Sequence, residues 1–206
     1  LISEGSISIF QFSFNLQSAP LSIIGVSYSV AAFPMLVRLF GNGDTKKFLE
    51  HMSAALRHII FWSVPVIFLM IVLRAQIVRV ILGTGAFNWE HTRLVAATLA
   101  VFVVSLLAQN LAMLFARGYY AAGNTKRPLV IDAFSSALIV SSGILFFRLF
   151  SENTFFRDLL ERVLKVEDIQ GAGVVALALA FTVGSIVNAA LLYFFFELLD
   201  YVLILW

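Results

Sequence analysis

The side chains best placed to do chemistry in this 206-residue chain are polar groups set into long apolar runs. Gln11 and Asn15 stand four residues apart, so on a helix they share one face, and Gln17 follows in the same stretch. An amide in hydrocarbon is costly unless it finds a partner. Two readings of Gln11, Asn15 and Gln17 stay open: polar glue between packed helices, or the wall of a polar cavity that holds a substrate. Asn188, Gln109 and Asn110 fit the role of interhelical glue. Asp132 follows Pro128 by about one turn; a carboxylate there is favoured by the helix dipole, and the alternative is proton or cation handling. Glu90 beside His91 at a helix start reads as capping, and Asp158 with Glu161 as part of a charged face. Without convergence in either pair, no catalytic residue, metal site or cofactor is expected. The absence of cysteine excludes disulfides, thiolate metal sites and cysteine nucleophiles.

The elements that position these groups follow from composition. Hydrophobic residues make up 61% of the chain, charged residues only 13%, and mean hydropathy is +0.96. A soluble domain carries about 25% charged residues, so the solvent for most of this chain is lipid. The net charge of +2 and the scattering of basic residues between apolar runs argue against nucleic acid as a partner. The chain opens on Leu1 with its first methionine at Met35, and is expected to be a fragment of a longer protein.

The pattern predicts an all-α, polytopic transmembrane helix bundle. Spans fall at about 5–18 (partial), 20–40, 59–73, 94–115, 129–147 and 173–196, and YVLILW at the end suits a further one. Pro34 and Pro65 lie inside spans, where the missing N–H predicts kinks suited to gating. Two amphipathic helices, 44–57 and 154–168, are expected to lie in the membrane interface. Between 74 and 93, Gly83 and Gly85 predict a turn, with Phe87 and Trp89 anchoring at headgroup level. Gly-Asp-Thr-Lys-Lys at 43–47 is echoed by Gly-Asn-Thr-Lys-Arg at 123–127, two crossings later and so on the same membrane face. Lys and Arg divide evenly: Arg38, Lys46, Lys47, Arg57, Arg117, Lys126 and Arg127 against Arg74, Arg79, Arg93, Arg148, Arg157, Arg162 and Lys165. Acids interleaved with the second set tilt the first face towards the cytoplasm.

With the spans laid out, the chain resembles the MurJ/MviN family of lipid II flippases, within the larger group of multidrug, oligosaccharide-lipid and polysaccharide exporters. The resemblance rests on Leu16 and Pro20 before Gly25-Val26, on Phe33–Leu36 and on Phe40 to Asp44. It continues through Ile77-Val78-Arg79, Gly83 to Phe87, Arg117–Ala121 with Asn124-Thr125 and Pro128, then Leu177–Ala180 and Asn188–Tyr193. It implies the end of the seventh to the twelfth helix of a fourteen-helix protein of the bacterial cytoplasmic membrane, partnered by an N-terminal lobe that this stretch lacks. It also implies a lipid-linked oligosaccharide substrate surrounded by membrane lipid, moved by alternating access. Two positions depart from the family pattern. Asn15 stands where members carry an arginine able to hold a pyrophosphate. Ser141, Ser142 and Gly143 stand where many place an Asn/Asp pair, which removes the donors of a sodium site there. The rival readings are an exporter of another polysaccharide lipid or of drugs, a membrane enzyme acting on lipids, and a non-transporting scaffold.

Overall fold

A computed structural model describes residues 6–82, 89–164, 166, 169 and 171–204, with side chains described as far as residue 196. Among these, every element is helical: α1 (Ser6–Leu21), a π turn (Ser22–Val26), α2 (Ser27–Gly41), α3 (Thr45–Val72), α4 (Arg74–Leu82), α5 (Trp89–Val104), α6 (Leu106–Ala121), α7 (Lys126–Glu152), α8 (Thr154–Leu164) and α9 (Gly173–Ile204). Ser6–Gly41, Thr45–Val72, Lys126–Glu152 and Gly173–Phe196 are each long and apolar enough to cross a membrane, and α5 with α6 passes as one further span bent by 42°. The all-α transmembrane class expected from composition is the one observed.

Several boundaries differ from the expected ones, each for a local reason. The partial span at 5–18 and the span at 20–40 are one helix of 36 residues. Pro20, which suits a helix's first turn, instead sits inside α1. The chain continues through it into the π turn, and serine hydroxyls take up carbonyls along this stretch: Ser18 Oγ donates to Phe14 O (2.9 Å), Ser22 Oγ to Ser18 O (2.8 Å) and Ser27 Oγ to Ser22 O (3.2 Å). Pro34 and Pro65 lie inside α2 and α3, which run on as helix through both. The sharp break falls instead at Ser105, between α5 and α6. There Ser105 N bonds Phe102 O (2.9 Å) and its Oγ bonds the same oxygen (2.7 Å), a hydroxyl inserted into the helical ladder.

The segment at 44–57 is amphipathic, but its apolar face meets protein rather than lipid. Phe48, Met52 and Ala55 are buried in a core with Leu36, Leu114, Tyr119 and Leu192. In the second amphipathic segment, α8 turns Phe156, Leu160 and Leu164 towards the main core and leaves Phe155, Leu159 and Val163 exposed, as a surface helix does. Its expected end, including Glu167 and Asp168, lies outside the described residues, as do Gly83, Gly85 and Phe87. The last helix carries on to Ile204 without the break that a separate span from Tyr201 would need.

The two turns that echo each other in sequence are superposable in their hydrogen bonds, offset by 80 positions. After α2, Asn42 N bonds Arg38 O, Gly43 N bonds Phe40 O and Asp44 N bonds Leu39 O; after α6, Ala122 N bonds Gly118 O, Gly123 N bonds Tyr120 O and Asn124 N bonds Tyr119 O. This is a Schellman closure, and it requires a left-handed residue at Gly43 (φ 72°) and Gly123 (φ 71°). The residue after each glycine then caps the next helix: Asp44 Oδ1 accepts from Lys47 N (3.4 Å), and Asn124 Oδ1 from Arg127 N (3.3 Å). The Lys47 ammonium also donates to Asp44 (2.6 Å), which holds this carboxyl below its ordinary range.

The centre of the bundle is α5, whose residues from Leu94 to Val103 are all buried. It is gripped from both sides by hydroxyls on neighbouring helices: Ser13 Oγ of α1 reaches Val95 O (3.1 Å) and Thr182 Oγ1 of α9 reaches Val101 O (2.9 Å). Phe102 packs edge-on against Phe10, Phe14 and Phe181 at 4.9, 5.8 and 5.4 Å between ring centroids. Glycine permits the closest crossings. A Cβ on Gly25 would strike the Asn110 side chain of α6, with Cγ at 2.9 Å, and one on Gly184 of α9 would strike Ile139 of α7.

Leucine at Gly25 or Gly184 is expected to destabilise the bundle by about 1–3 kcal/mol, as overpacking does. Leucine at Gly41, where nothing lies within 4 Å, is the comparison and should leave the melting temperature in detergent almost unchanged.

Candidate functional site

The exposed arc of α1 and the π turn carries Ser8, Gln11, Asn15, Ala19 and Ser22, flanked by exposed Ile7, Ile23 and Val26. The outward faces of the neighbouring spans differ in kind. Exposed on α3 are Phe61, Trp62, Phe68 and Leu69; exposed on α7 are Leu129, Val130, Phe134, Val140, Ile144 and Leu145, interrupted by Asp132, Ser136 and Ser141. Apolar faces of that sort suit lipid chains. A strip of amides, hydroxyls and small residues at membrane depth belongs against water or a polar partner. Gln11 and Asn15, expected to share a face, both lie on this strip.

Gln17 does not. Two residues beyond Asn15 on a helix is more than half a turn away, and the side chain is fully buried. Its Oε1 accepts from Gln109 Nε2 at 3.4 Å, and the same nitrogen donates to Ser105 Oγ at 2.8 Å. Asn110 points into a second interior contact, with Nδ2 donating to Ser63 Oγ of α3 at 2.9 Å. Gln17 Nε2 and Asn110 Oδ1 are both buried without a hydrogen-bond partner. Gln17 thus sits with Gln109 and Ser105 in one polar network, and Asn110 with Ser63 forms a separate interior pair.

Asp132 and Asn188, on separate helices, come together: Asn188 Nδ2 donates to Asp132 Oδ1 at 3.0 Å. They border a cavity of about 330 Å³ between α6, α7 and α9, whose polar lining also includes Gln109, Ser135, Ser136 and Ser185. Because α7 begins at Lys126, Asp132 lies nearly two turns inside it rather than one. The dipole's effect falls off within the first turn and adds little there, but the Asp132 side chain is exposed. Ser141 and Ser142 return their hydroxyls to their own helix, at Leu138 O (3.1 Å) and Ile139 O (3.2 Å). Gly143 lines a separate, mainly apolar groove of about 700 Å³ with Ile7, Phe10, Leu177 and Ala180.

The remaining polar candidates stay at the periphery. Glu90 and His91 are exposed in the first turn of α5, where Trp89 packs under the Arg79 guanidinium at 5.9 Å. Arg157 Nε lies 3.9 Å from both Asp158 and Glu161, tying these two carboxylates into the charged face of α8. Among the described residues no group of three His, Cys, Asp or Glu side chains is placed to hold a metal. Residue types alone did not mark Ser63 and Ser105 as partners of these amides or Ser185 as cavity lining, because serine is common in membrane helices and mostly bonds its own backbone.

A family model described as lipid II flippase MurJ matches residues 1–198. Among curated relatives, the chain is 30% identical over 149 residues to "Probable lipid II flippase MurJ" of Rhizobium tropici, covering 72% of this chain and 28% of the relative. The protein of the same name from Rickettsia prowazekii is 31% identical over 142 residues, covering 69% and 28%. That from Thermotoga maritima is 28% identical over 144 residues, covering 70% and 29%. The chain thus spans about three-tenths of the length of these relatives. A solved structure, lipid II flippase MurJ in an inward closed conformation, superposes with a TM-score of 0.70 at 22% identity, covering 96% of this chain and 38% of that one.

Burial separates the amides by what they should do to stability. Asn110→Ala is expected to lower thermal stability in detergent by about 0.5–2 kcal/mol, through loss of the Ser63 bond. Gln11→Ala and Asn15→Ala, on the exposed strip, should each stay within about 0.5 kcal/mol of wild type.

Proposed function

The chain belongs to the lipid II flippase MurJ family, and on that premise we propose that it forms the C-terminal lobe of a transporter carrying a lipid-linked peptidoglycan precursor across the bacterial cytoplasmic membrane. The observation that carries this reading is the polar strip of Ser8, Gln11, Asn15 and Ser22 on α1, set against the apolar outward face of α3 with Phe61, Trp62, Phe68 and Leu69. A lipid-linked oligosaccharide has two solvents: its sugar and pyrophosphate need a polar surface, and its tail remains in the bilayer. The strip on α1 offers the first surface, facing an N-terminal lobe, and the apolar faces of α3 and α7 suit the second. Alternating access follows from rocking one lobe against the other around the substrate.

Within this lobe Gln11 and Asn15 line the cavity, and Gln17 positions α1 against α6. Asn15 donates a hydrogen bond to the headgroup but cannot neutralise phosphate, so the charge of the pyrophosphate falls to basic groups of the N-terminal lobe. The α2–α3 and α6–α7 turns, with Lys46, Lys47, Lys126 and Arg127, face the cytoplasm. Pro34 and Pro65, the π turn and the Ser105 bend are the points about which the helices adjust, because each relaxes the helical ladder. Transport, rather than chemistry on the lipid, fits the pairing of Asp158 and Glu161 with Arg157 and the peripheral position of Glu90 and His91. An exporter of another polysaccharide lipid uses the same strip with a different headgroup.

The test is complementation by the intact protein in cells depleted of their resident lipid II flippase, together with lipid II translocation in vesicles. Asn15→Leu, which keeps size and removes the amide, is expected to lower translocation about tenfold, the value of one hydrogen bond of 1.4 kcal/mol. Asn15→Arg is expected to equal or exceed wild type. Unchanged translocation in the Gln11→Leu, Asn15→Leu double variant, at normal abundance, would overturn the cavity role.

A further inference from the structure

We propose that the pocket between α4 and the start of α5 binds the phosphate headgroup of an anionic membrane phospholipid, with the guanidinium groups of Arg74 and Arg79 as its charged contacts. Arg74, Arg79 and Arg93 line one pocket of about 280 Å³, and no Asp or Glu belongs to its described lining. Among the described residues neither Arg74 nor Arg79 has a carboxylate within ion-pair distance. Like charges gathered in one place repel, and an anion set between them reverses the sign of that interaction. Arg79 is also held in position. The Trp89 ring lies under its guanidinium at 5.9 Å, a contact that fixes the charge without consuming its N–H donors.

Position selects a lipid over a free anion. The membrane-spanning α3 ends at Val72, so Arg74 lies two residues past the end of a span, and Trp89 opens the helix that returns into the membrane. That is headgroup depth, where tryptophan and arginine settle between water and hydrocarbon. Val80 and Ile81, next to Arg79 along α4, are exposed, as is the Trp89 ring. A free phosphate gains nothing from these groups, whereas the glycerol and upper chain carbons of a phospholipid cover them. Arginine matches phosphate with two parallel N–H···O bonds, and basic pockets between membrane helices suit such headgroups. At about 280 Å³ against roughly 30 Å³ per water, the pocket has room for a phosphodiester with part of its hydration shell. The headgroup bridges α4 to α5, the helix whose residues from Leu94 to Val103 form the buried centre of the bundle, so occupancy holds the outer element onto the core.

The test needs no transported substrate. The thermal midpoint of the purified intact protein in detergent is followed against short-chain phosphatidylglycerol, and in parallel against phosphatidylcholine of the same chain length and against inorganic phosphate. Phosphatidylglycerol is expected to raise the midpoint above the phosphatidylcholine value, because a ligand of the folded state stabilises it in proportion to occupancy. The double variant Arg74→Gln, Arg79→Gln should remove this difference. Arg148→Gln, which deletes an exposed charge near the same end of the bundle but outside the pocket, should keep it. Arg74→Gln alone should weaken the apparent phosphatidylglycerol affinity about tenfold, the loss of one charge-assisted contact. Equal shifts with the two lipids, or a double variant that retains the difference, overturn the proposal. So does an equal shift with inorganic phosphate at the same concentration, which would mark a site for free anions. If the double variant does not fold, Arg74→Gln decides, and unaltered phosphatidylglycerol affinity overturns the assignment.

Discussion

A backbone carbonyl that loses its helical partner inside a bilayer has no water to turn to, and this chain places serine hydroxyls on carbonyls at two of its irregular stretches. Ser18, Ser22 and Ser27 accompany Pro20 and the π turn; Ser105 sits at the 42° bend between α5 and α6. The long helix through residue 41 runs on past Pro20 and Pro34. The bent span turns without a proline, because a hydroxyl competing for the Phe102 carbonyl is enough to turn the chain. Satisfying the backbone locally leaves side chains free to decide how helices meet.

How they meet depends on two kinds of contact. Small residues bring backbones together, most tightly where Gly25 in the π turn lies on Asn110 and where Gly184 lies on Ile139. Single polar bonds then fix registers: Ser13 to Val95, Thr182 to Val101, Asn110 to Ser63 and Tyr119 Oη to the Leu192 carbonyl at 3.2 Å. Packing rather than a hydrophobic drive associates helices in lipid, so shape and a few hydrogen bonds carry what a soluble core gains from expelling water. The matched turns at Gly43 and Gly123 contribute a second regularity. Each ends one helix on a left-handed glycine and starts the next on a capped end within three or four residues, so the turn is repeated although α2 packs along α3 and α6 scarcely touches α7.

The polar groups that the turns and crossings do not consume lie in two places. One is the strip of α1 headed by Gln11 and Asn15; the other is the cavity bordered by Asp132, Ser135 and Asn188. They differ chemically, the first a run of amides and small residues, the second a cluster of hydroxyls and amides beside one exposed carboxylate.

Sequence alone determined the solvent, and with it the fold class: apolar runs of span length leave helices as the solution for a chain of this hydropathy, and the repeated Gly-Asp-Thr-Lys-Lys and Gly-Asn-Thr-Lys-Arg motifs announced equivalent turns. The motif order was also sufficient for the family. Tertiary structure decided which polar residues work together. Gln11, Asn15 and Gln17 read alike in one dimension, yet 100° per residue sends Gln17 into the interior and leaves the other two outside. Asp132 and Asn188 are 56 positions apart, and nothing in either segment predicts that they meet. Pro20 shows the limit from the other direction: a residue with a strong local preference for a helix start was overruled, and the helix runs through it. Local chemistry fixes what each residue needs in lipid; only packing determines which neighbour meets the need.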